Sequence, residues 1–454
     1  MKLFDYQLDL SNRIRQAFRR TRRVIGQLPT GGGKGVVLAH IAEQAMEKGS
    51  VVCISCHREE IFQQLYRNLV AFGICPGLIA QGHDPMPGNQ VYLSMVETFC
   101  RRMNKGLMEK LNINFFILDE CHFGNYYKLI SAVDCHVLGF TATPKSTGNP
   151  ELNEYFGDIV CGPTVKELIS IGRLVPTTTY SVQHDFSKVK MKGKDYDEKS
   201  LFAEFKKPKL WDGAVRSYLD HARGEQALCF NVNVEHSNAT TLQFREHGIR
   251  AAHVDGKSDK ETRDNIFRMY RNKSIDIICN VGIATTGTDL PETGCVIQNF
   301  ATVSLVKHIQ TLGRGARCAN GKKRFITIDM GRNYIRHGEF GEDIDWRYIF
   351  ENPSAATKKE QTKTKRECDA CGAVMKFHLR ECPYCGDEIT EKEIESKFLE
   401  GASMEEVKAY RLKTVPPHLR KPISEMNKED LSAYARHMCY SPRWVHVMLN
   451  LRKK

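Results

Sequence analysis

No stretch of this 454-residue chain is apolar for the ~18–20 residues that a membrane helix needs, so no membrane partner is expected. The opening residues, Met1-Lys2-Leu3-Phe4-Asp5-Tyr6-Gln7, lack the apolar segment of a signal peptide, which predicts a chain kept in the cytosol. Acidic residues are in the minority: 54 Asp and Glu face 66 Lys and Arg, leaving a net charge of +12. That balance permits a polyanionic partner without requiring one. Disulfides are not expected in a reducing cytosol, so the 16 cysteines read as thiols or metal ligands. All but four are scattered and read as small core hydrophobes.

Short apolar runs alternate with stretches of helical spacing. In the first third, Val24-Ile25, Val51–Ile54, Phe115–Leu118 and Val137–Phe140 read as buried strands, and Val36–Glu47 and Glu59–Phe72 as helices. The pattern is lost among the charges of residues 186–209 and returns with Ala227–Asn231, Ala251–Val254, Ile275–Cys279, Cys295–Gln298 and Phe325–Asp329. Buried strands alternating with helices predict parallel sheets, here two α/β domains of similar size. Residues 351–366 are polar and basic and read as a linker.

After the first strand comes Leu28-Pro29-Thr30-Gly31-Gly32-Gly33-Lys34-Gly35. Glycines let successive N–H groups converge on a phosphate oxygen, and the helix that follows adds its positive end. Lys34 can reach the β- and γ-phosphates. The loop departs from the strict pattern, which has Gly where Leu28 stands and Ser or Thr where Gly35 stands. A glycine-rich turn without a ligand would look the same. About 85 residues further on, Asp119-Glu120-Cys121-His122 ends an apolar strand, where ligands bind in parallel sheets. Two acids there can divide the work: Asp119 holds Mg²⁺ and Glu120 deprotonates the attacking water.

These segments, in this order, resemble the superfamily 2 helicases. Tyr6-Gln7 is similar to the adenine-reading Q motif, Thr30–Lys34 to motif I, Ser55–Glu60 to motif Ia and Asp119–His122 to a DECH form of motif II. Thr141-Ala142-Thr143-Pro144 is similar to motif III, Asn280–Pro291 to motif V and Gln310–Arg317 to motif VI. The resemblance covers residues 1–340 and implies the site. ATP and Mg²⁺ would meet Gln7, Thr30, Gly31, Gly32, Gly33, Lys34, Gly35, Gly287 and Asp289. Catalysis would fall to Lys34, Asp119, Glu120, Gln310, Arg314 and Arg317, one arginine reaching the γ-phosphate. His122, Thr141 and Thr143 would couple the ATP site to the domain interface, and Arg58, Thr98 and Thr285 would touch the nucleic-acid backbone. Gly35 has no hydroxyl for Mg²⁺. Water can replace that ligand and leave an active enzyme, or the ATPase is degenerate.

Cys368-Asp-Ala-Cys371-Gly and Cys382-Pro-Tyr-Cys385-Gly form two knuckles ten residues apart. Four thiolates at this spacing suit tetrahedral Zn²⁺, with His378 between them left out of the ligand set. Incidental cysteine pairs are the other reading. The expected fold class is α/β: tandem RecA-like parallel-sheet domains at 1–172 and 209–345 joined by 173–208, then a basic linker at 346–366, a small four-cysteine zinc ribbon at 367–388 and a helical basic tail at 389–454. Asp329–Gly338, the ribbon and Tyr440-Ser-Pro442-Arg-Trp444 together resemble the RadD-like group of bacterial and phage helicases. That resemblance implies an ATP-dependent DNA helicase on forked or branched DNA, in replication, repair or recombination, in the cytosol of a bacterium or a phage-infected host. Basic Lys358, Lys359, Lys363, Lys365 and Arg366 would add a DNA contact or form a solvated linker. The ribbon and tail could also receive protein partners, and a monomer suffices for this scheme. The alternatives are an RNA helicase, a double-strand translocase that does not unwind, and an ATP-independent binding module.

Overall fold

The computed structural model describes residues 2–353 other than 104 and 283–289, and then 365–368, 370–376, 379, 381–388, 416–419, 421, 423–438, 445 and 448–449. The chain forms two compact units that divide after Lys359.

The first unit holds two parallel sheets. The first sheet has seven strands: β1 (Arg23–Gln27), β2 (Val52–Cys56), β3 (Gly77–Ile79), β4 (Val91–Met95), β5 (Phe115–Asp119), β6 (His136–Thr141) and β7 (Asp158–Cys161), in the order β3-β4-β2-β5-β6-β1-β7. Successive residues feed opposite faces. Val24, Phe115 and Ile117 enter one core, while Ile25, Phe116 and Leu118 enter the other. Burial on both faces explains the continuous apolar runs. Three helices, α1 (Asp5–Ala17), α2 (Lys34–Glu47) and α3 (Glu59–Ala71), flank the phosphate loop. Each buries one stripe: Leu10, Ile14 and Ala17 on α1, and Ile61, Leu65 and Leu69 on α3.

The second sheet has six strands in the order β12-β13-β11-β14-β15-β8. They are β8 (Thr177–Ser181), β11 (Ala227–Asn231), β12 (Ala251–Val254), β13 (Ile277–Asn280), β14 (Cys295–Asn299) and β15 (Phe325–Asp329). Between β8 and β11 lies a hairpin, β9 (Met191–Lys192) with β10 (Asp195–Tyr196). The stretch expected as a connection, 173–208, thus supplies an edge strand, because β8 pairs in parallel with β15. The hairpin touches both domains. Lys194 Nζ donates to Gly148 O at 3.0 Å, and Asp195 accepts from Thr302 Oγ1 at 2.7 Å and Val303 N at 2.8 Å. Past the second sheet the chain returns to the first. The helix Trp346–Glu351, expected as the start of a linker, buries Phe350 in the first domain's core and pairs Arg347 with Asp158 at 3.2 Å.

In the second unit, β16 (Lys365–Glu367) pairs antiparallel with β17 (Val374–Lys376) beside the cysteine cluster. A helix, Lys428–Met438, buries Leu431 and Tyr434 with Leu419 and Met426. No helix among the described residues is long and apolar enough to cross a membrane.

Candidate active site

The phosphate loop joins β1 to α2, and its glycines are required by geometry. Gly31 and Gly33 hold φ of 86° and 85°, a region that favours glycine. Gly33 caps α2, and a Cβ there would collide with the Gln7 amide. Gln7 is buried behind the loop. Its Nε2 donates to Gly32 O at 3.1 Å while its Oε1 accepts from Phe4 N at 3.0 Å. Tyr6 adds a hydroxyl donated to the same Gly32 carbonyl at 3.0 Å. The Q-like pair therefore fixes the shape of the loop.

Strand register brings the acids to the loop. β6 lies between β1 and β5, with Thr141 beside Gln27 and Phe140 beside Asp119. Thr141 therefore lies level with residue 120, between the loop and the acidic pair. Glu120 itself has φ of 53°, in the left-handed region that costs a non-glycine residue on the order of 1–3 kcal/mol. This turn directs its carboxylate onto Lys34, with which it forms an ion pair. Burial pushes Glu120 up, but Lys34 and His122 outweigh it and hold the carboxyl well below its ordinary range. Burial and then the Glu120 charge push its neighbour Asp119 up to about 7. Asp119 Oδ1 is buried and has no hydrogen-bond partner among the described residues. An orphaned carboxylate oxygen beside a phosphate loop fits a hard cation such as Mg²⁺.

A hydrogen-bonded path leaves this centre. Thr141 Oγ1 donates to Glu120 Oε2 at 3.3 Å, and His122 Nδ1 lies 2.7 Å from Thr141 Oγ1. His122 Nε2 lies 3.1 Å from Gln310 Nε2 on the second domain. An amide nitrogen can only donate, so His122 accepts at Nε2 and carries its proton at Nδ1. Thr143 N donates to Thr141 Oγ1 at 3.0 Å, while the buried Thr143 hydroxyl has no hydrogen-bond partner among the described residues.

The second domain supplies the facing wall. The helix Leu305–Leu312 carries Gln310, and Gly313 ends it. Gly313 packs onto the phosphate loop so closely that a Cβ would meet Thr30 Cβ at 2.7 Å. The Arg317 stem runs past Gly31, and Arg314 is buried. Thr30, Gly31, Gly33, Lys34, Gly35, Asp119 and Glu120 share one cavity of 480 Å³ with Gln310, Arg314 and Arg317. Arg58 and Thr98 follow the neighbouring strands β2 and β4; Arg58 is half-buried and Thr98 is buried. Thr285, Gly287 and Asp289 lie outside the described residues, as do His378, Lys358, Lys359 and Lys363 and much of the tail.

Two features escaped sequence reasoning. One is a buried polar network at the ends of β11 and β14. Asn299 Nδ2 lies 2.9 Å from Asn231 Oδ1 and 3.1 Å from His236 Nε2. Asn231 at the end of an otherwise apolar strand was its signal. The other is Asn68, which lines the cavity from α3; a polar residue on the face of Ile61 and Leu65 was the clue.

In the second unit, the two knuckles repeat one backbone pattern. Gly372 N donates to Cys368 O, and Gly386 N to Cys382 O, each at 2.9 Å. Both glycines have positive φ, 71° and 76°. Cys368 and Cys385 sulfurs are 3.7 Å apart, and those of Cys371 and Cys382 3.8 Å. A disulfide would need ~2.05 Å, whereas a tetrahedron with Zn–S bonds of ~2.3 Å sets sulfurs ~3.8 Å apart. The donor set therefore fits Zn²⁺.

Two family models match the chain: the res subunit of type III restriction enzymes over residues 1–146, and the helicase conserved C-terminal domain over residues 212–319. A 51.5 kDa protein of a Lactococcus phage (isolate 7-9) is 30% identical over 415 residues, which is 90% of this chain and 88% of the relative. IRC3 of Saccharomyces cerevisiae, named as an ATP-dependent helicase, is 28% identical over 357 residues; these span 72% of this chain but about half, 51%, of that protein. Among solved structures, the ATP-dependent Type ISP restriction-modification enzyme LlaBIII bound to DNA shares the fold, with a TM-score of 0.54 and 17% identity over 77% of this chain and 29% of that one. Two parallel-sheet domains facing one cavity, the first matched by the restriction-enzyme res-subunit model and the second by the helicase C-terminal model, make the chain a member of the superfamily 2 DEAD/DEAH-like helicases and an ATP-hydrolysing helicase.

Proposed function

We propose that the chain is an ATP-dependent DNA helicase or translocase that acts on forked or branched DNA in replication, repair or recombination, as the RadD-like group does. The observation that carries this reading is the shared cavity, with Lys34, Asp119 and Glu120 on one wall and Gln310, Arg314 and Arg317 on the other. A cleft built from two domains is complete only when they close, so hydrolysis and release move one against the other.

The glycine loop and Lys34 receive the β- and γ-phosphates. Asp119 holds Mg²⁺, which supplies neutralisation of the phosphate charge. Glu120 takes the proton of the attacking water. In the resting protein its pairing with Lys34 keeps it a weak base. Phosphates that draw the Lys34 ammonium away release that hold and raise the basicity of Glu120. Arg314 and Arg317 stabilise the charge that develops on the γ-phosphate, a contribution worth ~10³–10⁵ in rate in related chemistry. Gly287 and Asp289 complete the nucleotide site. Arg58, Thr98 and Thr285 hold the nucleic-acid backbone, contacts that position without reading sequence. The net charge of +12 supports a polyanionic partner, and likeness to a restriction-modification enzyme solved with DNA supports DNA.

Cys368, Cys371, Cys382 and Cys385 hold one Zn²⁺, which supplies folding energy to a segment too small for its own core. The ribbon, its basic flank and the tail are further surfaces for DNA or protein partners. One zinc per chain, lost in Cys382→Ser, is the expected metal analysis; a metal-free folded segment contradicts it.

The deciding experiment compares unwinding of forks, four-way junctions, blunt duplex and RNA duplex. Faster unwinding of forks or junctions is expected. A preference for RNA, or ATP-driven movement on blunt duplex without strand separation, overturns the substrate reading.

A further inference from the structure

Gly35 follows the phosphate-loop lysine at the position where related enzymes place a Ser or Thr hydroxyl on Mg²⁺. The structure fills that space from another helix. Asn68 lies one to two turns along α3 from Leu65 and Ile61, and all three face the cavity that Gly35 lines. A Cβ built on residue 35 would collide with the Asn68 amide nitrogen, Nδ2, and touch Leu65 Cδ2 at 3.9 Å. A side chain at 35 and the amide of 68 therefore compete for one volume.

The chemistry matches as well as the space. Asn68 is half-buried, and its amide makes no side-chain hydrogen bond among the described residues; Ile61 and Leu65 on that face are apolar, and Gln64, one turn before it, also lines the cavity. A polar group held at a cavity wall without a protein partner is placed for water or a ligand. The amide carries an oxygen acceptor, and a half-turn of the group exchanges oxygen and nitrogen. Mg²⁺ takes oxygen ligands and retains several waters, so a neutral amide oxygen can do the work of a neutral hydroxyl.

We propose that Asn68 replaces the missing phosphate-loop hydroxyl, its amide oxygen holding the Mg²⁺ of the bound nucleotide directly or through one of the ion's waters. Gly35 is then not a degenerate position. Its lack of a side chain is what lets one from α3 reach the metal.

This rests on the cavity taking Mg²⁺-nucleotide, and the test separates the two ideas. ADP affinity is measured by calorimetry in Mg²⁺ and in EDTA for the full chain and for Asn68→Ala, Asn68→Asp, Gly35→Ser and the Gly35→Ser/Asn68→Ala pair. Asn68→Ala should reduce the gain in affinity that Mg²⁺ brings, on the order of tenfold, and leave metal-free affinity as in the parent. Asn68→Asp, which keeps the size and the oxygen, should retain the gain. Gly35→Ser should fail to improve the parent, where the two side chains collide, yet restore the gain in Asn68→Ala. An unchanged Mg²⁺ gain in Asn68→Ala, or the same benefit from Gly35→Ser in both backgrounds, overturns the proposal. Absence of ADP binding in the parent, with or without Mg²⁺, would instead overturn the nucleotide-site reading itself.

Discussion

The Gln310 amide nitrogen lies 3.1 Å from His122 Nε2, and both side chains are buried. Gln310 belongs to the second domain, and His122 follows the acidic pair of the first. Through Thr141 the contact reaches Glu120. Glu120, the proposed base, is thus wired to the second domain by three side chains.

That path predicts an uncoupled variant. Gln310→Ala leaves His122 Nε2 buried without its donor, a loss worth about 1–3 kcal/mol. DNA-stimulated ATP turnover should fall on the order of tenfold or more, with ADP affinity changed far less. Steady-state turnover and calorimetry on the same preparation check this; equal loss of both would mean that Gln310 serves nucleotide binding alone.

The hairpin of the inter-domain segment should carry strain between the domains. Asp195→Ala removes the acceptors of Thr302 Oγ1 and Val303 N. Hydrogen exchange at Val303 should accelerate, and thermal stability should drop by about 1–3 kcal/mol. Unchanged protection at Val303 would show that the hairpin contact does not hold in solution.

Acid should loosen the second domain. His308 and His337 stack at 5.1 Å, and their rings bond to Gly338 O at 3.0 Å and Thr302 O at 2.9 Å. Burial, then the neighbouring charge, lowers His308 to about 3, and burial lowers His337 to about 4. Both folded values lie below the ordinary value of about 6.5. The stability they contribute is therefore full above about pH 6.5 and is lost as pH falls through about 4, a loss of at least on the order of 1 kcal/mol for each ring. Melting temperature measured from about pH 7 down to about pH 4.5 should fall, and His337→Asn should flatten that slope.

Much of the engine was legible in the residues. The runs Val24-Ile25 and Phe115–Leu118 became interior strands whose two faces are both covered, and that burial is what makes such runs continuously apolar. Lys34, Asp119 and Glu120 fell together because the loop after β1 and the end of β5 have only β6 between them in one parallel sheet. What the sequence concealed depends on long-range contact. Strand β8 reads Thr-Thr-Thr-Tyr-Ser, with little apolar signal, because β-branched threonines supply its strand preference and Thr178 and Thr179 are buried without an apolar run. The two-residue strands β9 and β10 are too short for any periodicity. Phe350 and Arg347 follow a charged stretch, and only the fold shows that they return to the first domain. Asn68 stands 33 residues from Gly35, and only the packing of α3 near the loop brings them together.

The central claim is a nucleic-acid-driven ATPase whose base is Glu120. ATP turnover at saturating Mg²⁺, with and without forked DNA, tests it most directly when the wild type is set beside Glu120→Gln, which keeps the shape and removes the charge. The account predicts turnover that DNA stimulates in the wild type and a fall of about 10²–10⁴ in the variant. Turnover indifferent to DNA, or equal in the two proteins, would contradict it.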